Sequence, residues 1–293
     1  MKKKYIYALG FFDGVHRGHQ VLLAHSVRLA QETGLGSGAV TFDSHPQRLT
    51  RGNSPELITT VRDREKLLHN FVDRVVILHF GPKLRSLPWE AYLETLINEF
   101  DAGGFVCGDD FRFGHLGKGN AKILEQYCRE HDMPFHLVTE QAMDGVRVSS
   151  TYIRGLLRAG RVREAHRFLG HPYCITGIVV PGNQLGRRLG TPTANLSQPA
   201  GVVQMRHGVY ACRCHVDGQV YTAVTNIGTR PTVNGDHVTV EPWILDWEGD
   251  LYGKEITLEF VAFLRPELRF KTLEDLKTKI HQDADKARKM VEG

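Results

Sequence analysis

The chain has 293 residues, 41% hydrophobic and 24% charged, with a formal net charge of +4 and an isoelectric point of about 8.8. A chain of this length buries a core without metals or disulfides, and its mild basicity suits anionic substrates while arguing too weakly for a nucleic-acid surface. Five cysteines in no zinc or redox spacing, and no stretch near the roughly 20 apolar residues of a membrane span, lead us to expect a reduced, cytoplasmic protein with no membrane partner.

The N-terminal "MKKKYIYALGFFDG" starts basic but has no long apolar core and no small-residue cleavage site. From there strand and helix signals alternate. "YIYALGFF" reads as a buried strand, and "HRGHQVLLAHSVRLAQETG" as a helix closed by Gly34. "GAVTFD" and "DRVVILHF" read as further buried strands. "PWEAYLETLINEF" is a helix with Pro88 at its start, "GGFVCG" a strand, "NAKILEQYCREHD" a helix and "PFHLVTE" a strand. This alternation predicts a parallel sheet flanked by helices. "SSTYIRGLLRAG" and "VREAHRFLG" read as two short helices, the first capped by Ser149 or Ser150.

After "GHPY" the pattern becomes short and β-rich: "YCITGIVV", "GVYACRCHV", "QVYTAVTNIG", "VTVEPWILDW" and "KEITLEFVAFL". Asp217-Gly218 between two of these is a hairpin signal. Cys212 and Cys214 alternate as same-face strand residues. "TLEDLKTKIHQDADKARKMVE" is helical, with Thr272 as N-cap and acids in its first turn. The expected organisation is an α/β domain with a parallel sheet over residues 1–171 and a small antiparallel β-barrel with a terminal helix over 172–293. The boundary falls near His171-Pro172.

Chemistry concentrates at "GFFDGVHRGHQVLLAH", Gly10 to His25, where the first strand hands over to the first helix. Free backbone N–H groups and the helix dipole make such a junction an anion site. Gly14 and Gly18 let the backbone approach a phosphate closely. His16 and His19, three residues apart, lie on one side of a helical turn and add imidazole donors. Fixed donors of this kind suit a transition state whose charge builds on phosphate oxygens. An H-x-x-H pair alone is commonly a surface pair, or a metal site once a third ligand is found. The full strand-Gly-x-x-Asp-Gly-x-His-x-Gly-His context points to phosphate instead. Other nucleotide signatures are missing. "FGHLGKGN" has Gly119 after Lys118 and Arg112 where a P-loop needs glycine, and "GLGSGAV" lacks the third glycine of a dinucleotide fingerprint.

"GFFDGVHRGH" resembles the H-x-G-H motif of the nucleotidyltransferase superfamily, and "VSSTYIR" resembles the I-S-S-T-x-I-R motif of its adenylyltransferases. "GNQLGRRLGTPTANL" resembles the G-x-x-x-G-R-x-L-G-F-P-T-A-N motif of riboflavin kinases, followed in order by "GVYA", "NIGTRPT", "VEPWILDWEGDLYGK" and "FLRPELRF". Nearly the whole chain therefore resembles the bacterial bifunctional riboflavin kinase/FMN adenylyltransferases, the FAD synthetases, which implies a Rossmann-like nucleotidyltransferase fold for the first domain. The resemblance implies phosphorylation of riboflavin to FMN in the second domain and adenylyl transfer from ATP to FMN, giving FAD and pyrophosphate, in the first. It implies ATP, riboflavin, FMN and FAD as substrates or products, Mg²⁺ as cofactor, small-molecule partners without nucleic acid, and a monomer or weak homo-oligomer.

By the same resemblance His16, His19 and Arg154 act catalytically in the first domain. Gly10, Phe11, Asp13, Gly14, Gly18, Ser150 and Thr151 surround the ATP phosphates, and Asp110 and Phe111 of "CGDDFRFG" lie near the flavin. In the second domain Gly190, Thr193 and Asn195 hold ATP phosphates, and Thr193 and Asn195 offer oxygens to Mg²⁺. Glu241 is the base for the attacking hydroxyl, and Arg265 contacts flavin.

The chain departs from the family pattern at Thr191, where an aromatic is usual, at Trp243, two places after Glu241, and at Ser44 in "TFDSHP". Pro242 removes a ladder donor beside Glu241, so an edge or bulge is expected there. Four other readings compete: a monofunctional FMN adenylyltransferase with an inactive flavin-binding barrel, an H-x-G-H enzyme with another phosphate acceptor, an aminoacyl-tRNA synthetase, and a basic RNA-binding module. Intact Thr193, Asn195 and Glu241, the presence of "PTAN", the missing K-M-S-K-S loop and the missing basic stripe weigh against them in turn.

Overall fold

The computed structural model describes residues 3–45, 55–181, 193–197, 199–232 and 235–292. Contacts divide the chain into two units, Met1–Tyr152 and Ile153–Gly293.

In the first unit the order is β1 (Tyr5–Leu9), α1 (Arg17–Thr33), β2 (Gly36–Phe42), α2 (Val61–His69), β3 (Arg74–Leu78), α3 (Pro82–Ser86), α4 (Trp89–Phe100) and β4 (Ala102–Gly108). A small hairpin follows, β5 (Arg112–Phe113) and β6 (Gly119–Asn120), then α5 (Ala121–Glu130), β7 (Phe135–Val138) and a second hairpin, β8 (Ala142–Met143) and β9 (Val146–Arg147). Five strands form one parallel sheet in the order β3-β2-β1-β4-β7. The chain winds from β1 to one edge and returns to the other, so the strand order reverses between β1 and β4. Ligands gather at the carboxyl ends of strands at such a switch point.

β1 is a continuous apolar run because both its faces are covered. Ile6 packs with Ala30, Val106 and Val138 on one side, and Tyr7 and Leu9 pack with Val40 and Phe105 on the other or along it. α1 ends where Gly34 takes a left-handed φ of 69° and its N–H meets the carbonyls of Ala30 and Gln31. The "GLGSGAV" segment is thus a helix-to-strand turn.

α6 (Ser150–Arg158) crosses the division between the units, and α7 (Val162–Leu169) follows it. The strands of the second unit are β10 (Cys174–Val180), β11 (Asn195–Leu196), β12 (Gly208–Val216), β13 (Gln219–Thr232), β14 (Gly235–Ile244) and β15 (Glu255–Arg265). They close into an antiparallel barrel in the order β10-β11-β14-β13-β12-β15. Asp217 and Gly218 join β12 to β13 with φ of 50° and 77°, as a two-residue hairpin loop requires. Cys212, Cys214, Leu258 and Phe260 fill one face and are wholly buried. Val209, Ala211 and Val224 face the other way, beneath Ala284 and Ala287 of the terminal helix α8 (Leu273–Glu292). Thr272 caps α8, its Oγ1 accepting from Asp275 N at 3.1 Å.

Pro242 corrects an expectation: it lies neither on an edge nor at a bulge. β14 pairs with β13 in unbroken register, Thr225 opposite Pro242, and with β11 on its other side. The Pro242 carbonyl accepts from Ala194 N at 2.9 Å, so its nitrogen also points toward β11. The missing N–H therefore costs the long β13–β14 ladder nothing.

Candidate active sites

Between Leu9 and α1 the backbone makes a tight, strained loop. Phe12, Gly14 and Val15 all take left-handed φ, at 56°, 76° and 39°. Such conformations persist only when surrounding contacts over-determine them. Here Asp13 Oδ1 accepts from Ile58 N at 2.8 Å and Thr59 N at 3.2 Å, and Thr59 Oγ1 accepts from Gly14 N at 3.1 Å. Phe12 is fully buried. A Cβ on Gly14 would stand 2.9 Å from the Ile58 side chain, so only glycine fits.

The loop delivers His16 and His19 to one place. His16 is the N-cap of α1, its Nδ1 accepting from His19 N at 3.3 Å. In its neutral form His16 therefore carries its proton on Nε2. The two rings stack at 3.6 Å between centroids and 13° between planes, with Phe12 edge-on to His19 at 5.2 Å. The His19 ring is partly shielded and its Nδ1 is buried without a partner. Burial, then His16, then Arg64 hold the His19 imidazole well below its usual pKa. It is neutral near pH 7 and keeps one N–H to donate.

A Cβ on Gly10 would lie 3.1 Å from the Phe12 ring, and one on Gly18, between the two histidines, 3.3 Å from the His16 ring. Phe11 is half-buried beneath the guanidinium of Arg64, 4.4 Å from its ring centroid. The question of which serine caps α6 has an answer. Ser149 Oγ accepts from Tyr152 N at 3.3 Å, whereas Ser150 Oγ donates to the Asp13 carbonyl at 3.0 Å. Ser150 thus ties the start of α6 to the H-x-G-H loop. Thr151 is exposed, and Arg154 is buried one turn beyond Ser150 on the same helix face.

Asp110 is exposed and accepts from Arg147 Nη2 at 3.0 Å; Phe111 stacks on Phe113 at 5.6 Å. Phe113 leads to a cavity of about 510 Å³ that also includes Phe42, Phe80 and Tyr92, with Arg85 and Arg112 among its walls. The Tyr92 hydroxyl is buried without a partner, and burial raises its pKa. Residue-by-residue reading had no means of finding this cavity. Its walls come from β2, the segment after β3, α3, α4 and the β5–β6 hairpin, and each aromatic alone reads as core.

In the barrel, Leu196 of β11 faces Val240 of β14, and Thr193 bridges to Trp243. Asn195 therefore lies beside Glu241, and Asn226 of β13 is directly opposite Glu241. Val209 faces both Asn226 and Arg265. Asn195, Glu241, Asn226 and Arg265 thus occupy one row across the barrel face that α8 partly covers, with Thr193 two residues along on the same face. Arg265 is oriented firmly: its Nε donates to the buried Asp283 at 2.7 Å and its Nη1 to the Pro266 carbonyl at 3.0 Å. Trp243 packs edge-on to His281 of α8 at 5.7 Å. A small cavity of about 80 Å³ beside Thr193 includes Trp247, whose indole N–H is buried without a partner. Gly190 and Thr191 fall outside the described residues. Asn226 went unmarked although it sits in "NIGTRPT"; its place opposite Glu241 depends on strand register.

A glycine- and histidine-bearing loop at a sheet switch point, and a barrel face carrying a Thr-x-Asn pair beside a carboxylate, are the arrangement expected of an enzyme of ATP-dependent group transfer. Residues 1–152 match the FAD synthetase family and residues 169–291 the riboflavin kinase family. A bifunctional riboflavin kinase/FMN adenylyltransferase of Pseudomonas fluorescens is 38% identical over 97% of this chain and 92% of its own. The Haemophilus influenzae protein of the same description is 34% identical over 96% and 92%. A crystal structure from Streptococcus pneumoniae, described as a macrolide-efflux protein, superposes with a TM-score of 0.89 at 29% identity, covering 98% of this chain and 95% of that one. Among the described residues no helix is long and apolar enough to cross a membrane. The chain belongs to the bifunctional riboflavin kinase/FMN adenylyltransferase family.

Proposed function

We propose that this chain makes FAD in two steps. The barrel transfers the γ-phosphoryl of ATP to the riboflavin 5′-hydroxyl. The α/β unit then joins the FMN phosphate to the α-phosphorus of ATP and releases pyrophosphate. The observation that carries this reading is the presence of both family matches, end to end, on one chain whose two units each present a suitable site. The division of labour is placed at His171-Pro172, residues 1–171 serving adenylyl transfer and 172–293 the kinase.

In the adenylyltransferase the nucleophile is the FMN phosphate itself, so the protein positions reactants and neutralises charge. His16 and His19 donate to ATP phosphate oxygens from the α1 N-terminus, where the helix dipole adds to them. Gly10, Phe11, Gly14 and Gly18 shape the cradle, Ser150 and Thr151 close it, and Arg154 is the guanidinium on the phosphates. Asp13 contributes through loop shape, because its carboxylate is occupied by the Ile58 and Thr59 amides. The aromatic cavity suits the isoalloxazine ring, with Tyr92 as polar handle and Phe111 stacked on its Phe113 wall; Asp110, next to Phe111 in the chain, is the second residue assigned to the flavin.

In the kinase Glu241 accepts the proton of the riboflavin 5′-hydroxyl as it attacks. Thr193, Asn195 and Gly190 hold the nucleotide phosphates, and Arg265 contacts the flavin. Neutral oxygens beside one carboxylate fit a hard cation that arrives on ATP, so Thr193 and Asn195 would hold Mg²⁺. When bound, it supplies neutralisation of phosphate charge. The setting is cytoplasmic and the partners are small molecules.

The test is incubation of the purified chain with riboflavin, ATP and Mg²⁺, with the flavins separated by chromatography. FMN and then FAD are expected; folded protein yielding neither overturns the reading.

A further inference from the structure

Among the described residues, Arg64 is one of the largest wholly buried side chains. It arises from α2, and one terminal nitrogen donates to the Phe42 carbonyl at the end of β2. Among the described residues its Nε and Nη1 have no hydrogen-bond partner. Its flat face lies on Phe11, in the loop that carries His16 and His19. The nearest acids are committed elsewhere. Asp13 accepts from two backbone amides, and Asp43 accepts from Phe80 N at 3.0 Å and pairs with His79 Nδ1 at 2.6 Å.

A guanidinium has five N–H donors, and a buried one is ordinarily satisfied by hydrogen bonds or a bidentate carboxylate. Burying it with two nitrogens idle is costly, and an apolar side chain of similar volume would serve packing better. The position makes sense if the compensating anion is supplied by the substrate.

We infer that Arg64 is a positioning residue of the adenylyl-transfer site, a fixed buried cation beneath the H-x-G-H loop whose charge is answered by the phosphates of bound ATP. This rests on reading that loop as the ATP site. Arg64 stands behind the loop and acts through it: it orders Phe11 by cation–π contact, and its field favours polyanion binding. The same field disfavours a proton on His19, leaving that ring a neutral donor. The charged and titratable groups around the pair are His16 and Asp13 in the loop, Asp43 with His79 at the ends of β2 and β3, and Asp63 on α2 itself, which bonds Thr60. Burial lowers the Arg64 pKa to about 10, so it stays charged at neutral pH.

The experiment uses the full chain with Arg64→Met and Arg64→Lys. It reads thermal unfolding, riboflavin phosphorylation, and FAD formation from FMN with ATP varied, from about pH 5 to pH 8. Arg64→Met should unfold at or above the wild-type temperature and phosphorylate riboflavin normally. Its KM for ATP in FAD formation should rise roughly tenfold, the scale of one charge acting across a partly shielded site. The acid limb of its pH profile should move to higher pH, because His19 then takes a proton more easily. Arg64→Lys should recover most of the ATP affinity.

Wild-type KM and pH profile in Arg64→Met, or lowered stability with unchanged KM, assigns Arg64 to packing and overturns the inference. If Arg64→Met does not fold, Arg64→Lys decides: near wild-type KM supports the charge, and a tenfold rise with charge retained refutes it. His19→Ala in the same assay separates the two levels of argument. FAD formation that survives His19→Ala removes the ATP-site reading itself. FAD formation lost in His19→Ala but unaltered in Arg64→Met removes only the role of Arg64.

Discussion

Asp13→Ala is the sharpest perturbation of the adenylyltransferase loop that leaves its phosphate donors in place. The Asp13 side chain is 2% exposed, and its Oδ1 accepts from Ile58 N at 2.8 Å and Thr59 N at 3.2 Å. A hydrogen bond to a charged acceptor is worth about 1.5–3 kcal/mol, and the longer of the two belongs at the low end. Alanine removes both and leaves two amides without their partner, a loss of about 3–5 kcal/mol. That is a large share of the roughly 5–15 kcal/mol holding a domain together. The strained conformations at Phe12, Gly14 and Val15 lose their clamp at the same time. Asparagine keeps an acceptor at the same place without the charge, so about 2 kcal/mol is lost, or roughly 4–8 °C in Tm. The assay is thermal unfolding together with both activities below the transition. Asp13→Ala should lose FAD formation and Asp13→Asn should keep part of it, while both phosphorylate riboflavin. An alanine variant with wild-type Tm and FAD rate refutes the clamp.

Three further outcomes are expected. His19→Ala should slow FAD formation by roughly 10²–10³-fold, the effect of removing one charge-stabilising donor, with kinase activity retained; equal loss of both activities would assign the ring to folding. Glu241→Gln should slow riboflavin phosphorylation by roughly 10²–10⁴-fold and leave FAD formation from supplied FMN intact, and a near wild-type kinase rate would remove Glu241 as the base. Tyr92→Phe removes a buried hydroxyl that has no partner; it should raise stability by about 1 kcal/mol while weakening FMN affinity, and a fall in Tm would reveal a hydrogen bond at that oxygen.

The first unit was legible because its strands are buried on both faces and its helices carry their own start and stop signals. Asn120 caps α5 through its side chain, and Gly34 ends α1 in a left-handed turn. The motif loop could be singled out, since glycine and histidine spacing is local information. What holds the loop was hidden. Asp13 meets its amides 45 and 46 residues away, and Arg64 reaches Phe42 across 22. In the barrel, the strand segment read from the sequence, "QVYTAVTNIG", stops at Gly228, yet the β13–β14 ladder runs on past Pro231 through Thr232 opposite Gly235. A long two-stranded ladder tolerates a proline whose nitrogen faces away from its partner, and sequence alone does not say which way a nitrogen faces. For the same reason Pro242 suggested an edge, and Asn226 opposite Glu241 stayed unmarked until register was known.

The central claim is that one chain carries two ATP-dependent transfers using different phosphorus atoms. Labelled ATP tests it directly, with unlabelled riboflavin as the only flavin supplied. Label at the γ-position should appear in FMN and persist in FAD, while label at the α-position should appear in FAD and not in FMN. No γ-label entering flavin from riboflavin, while a parallel reaction given FMN in its place still makes FAD, would contradict the account and leave the barrel without its kinase.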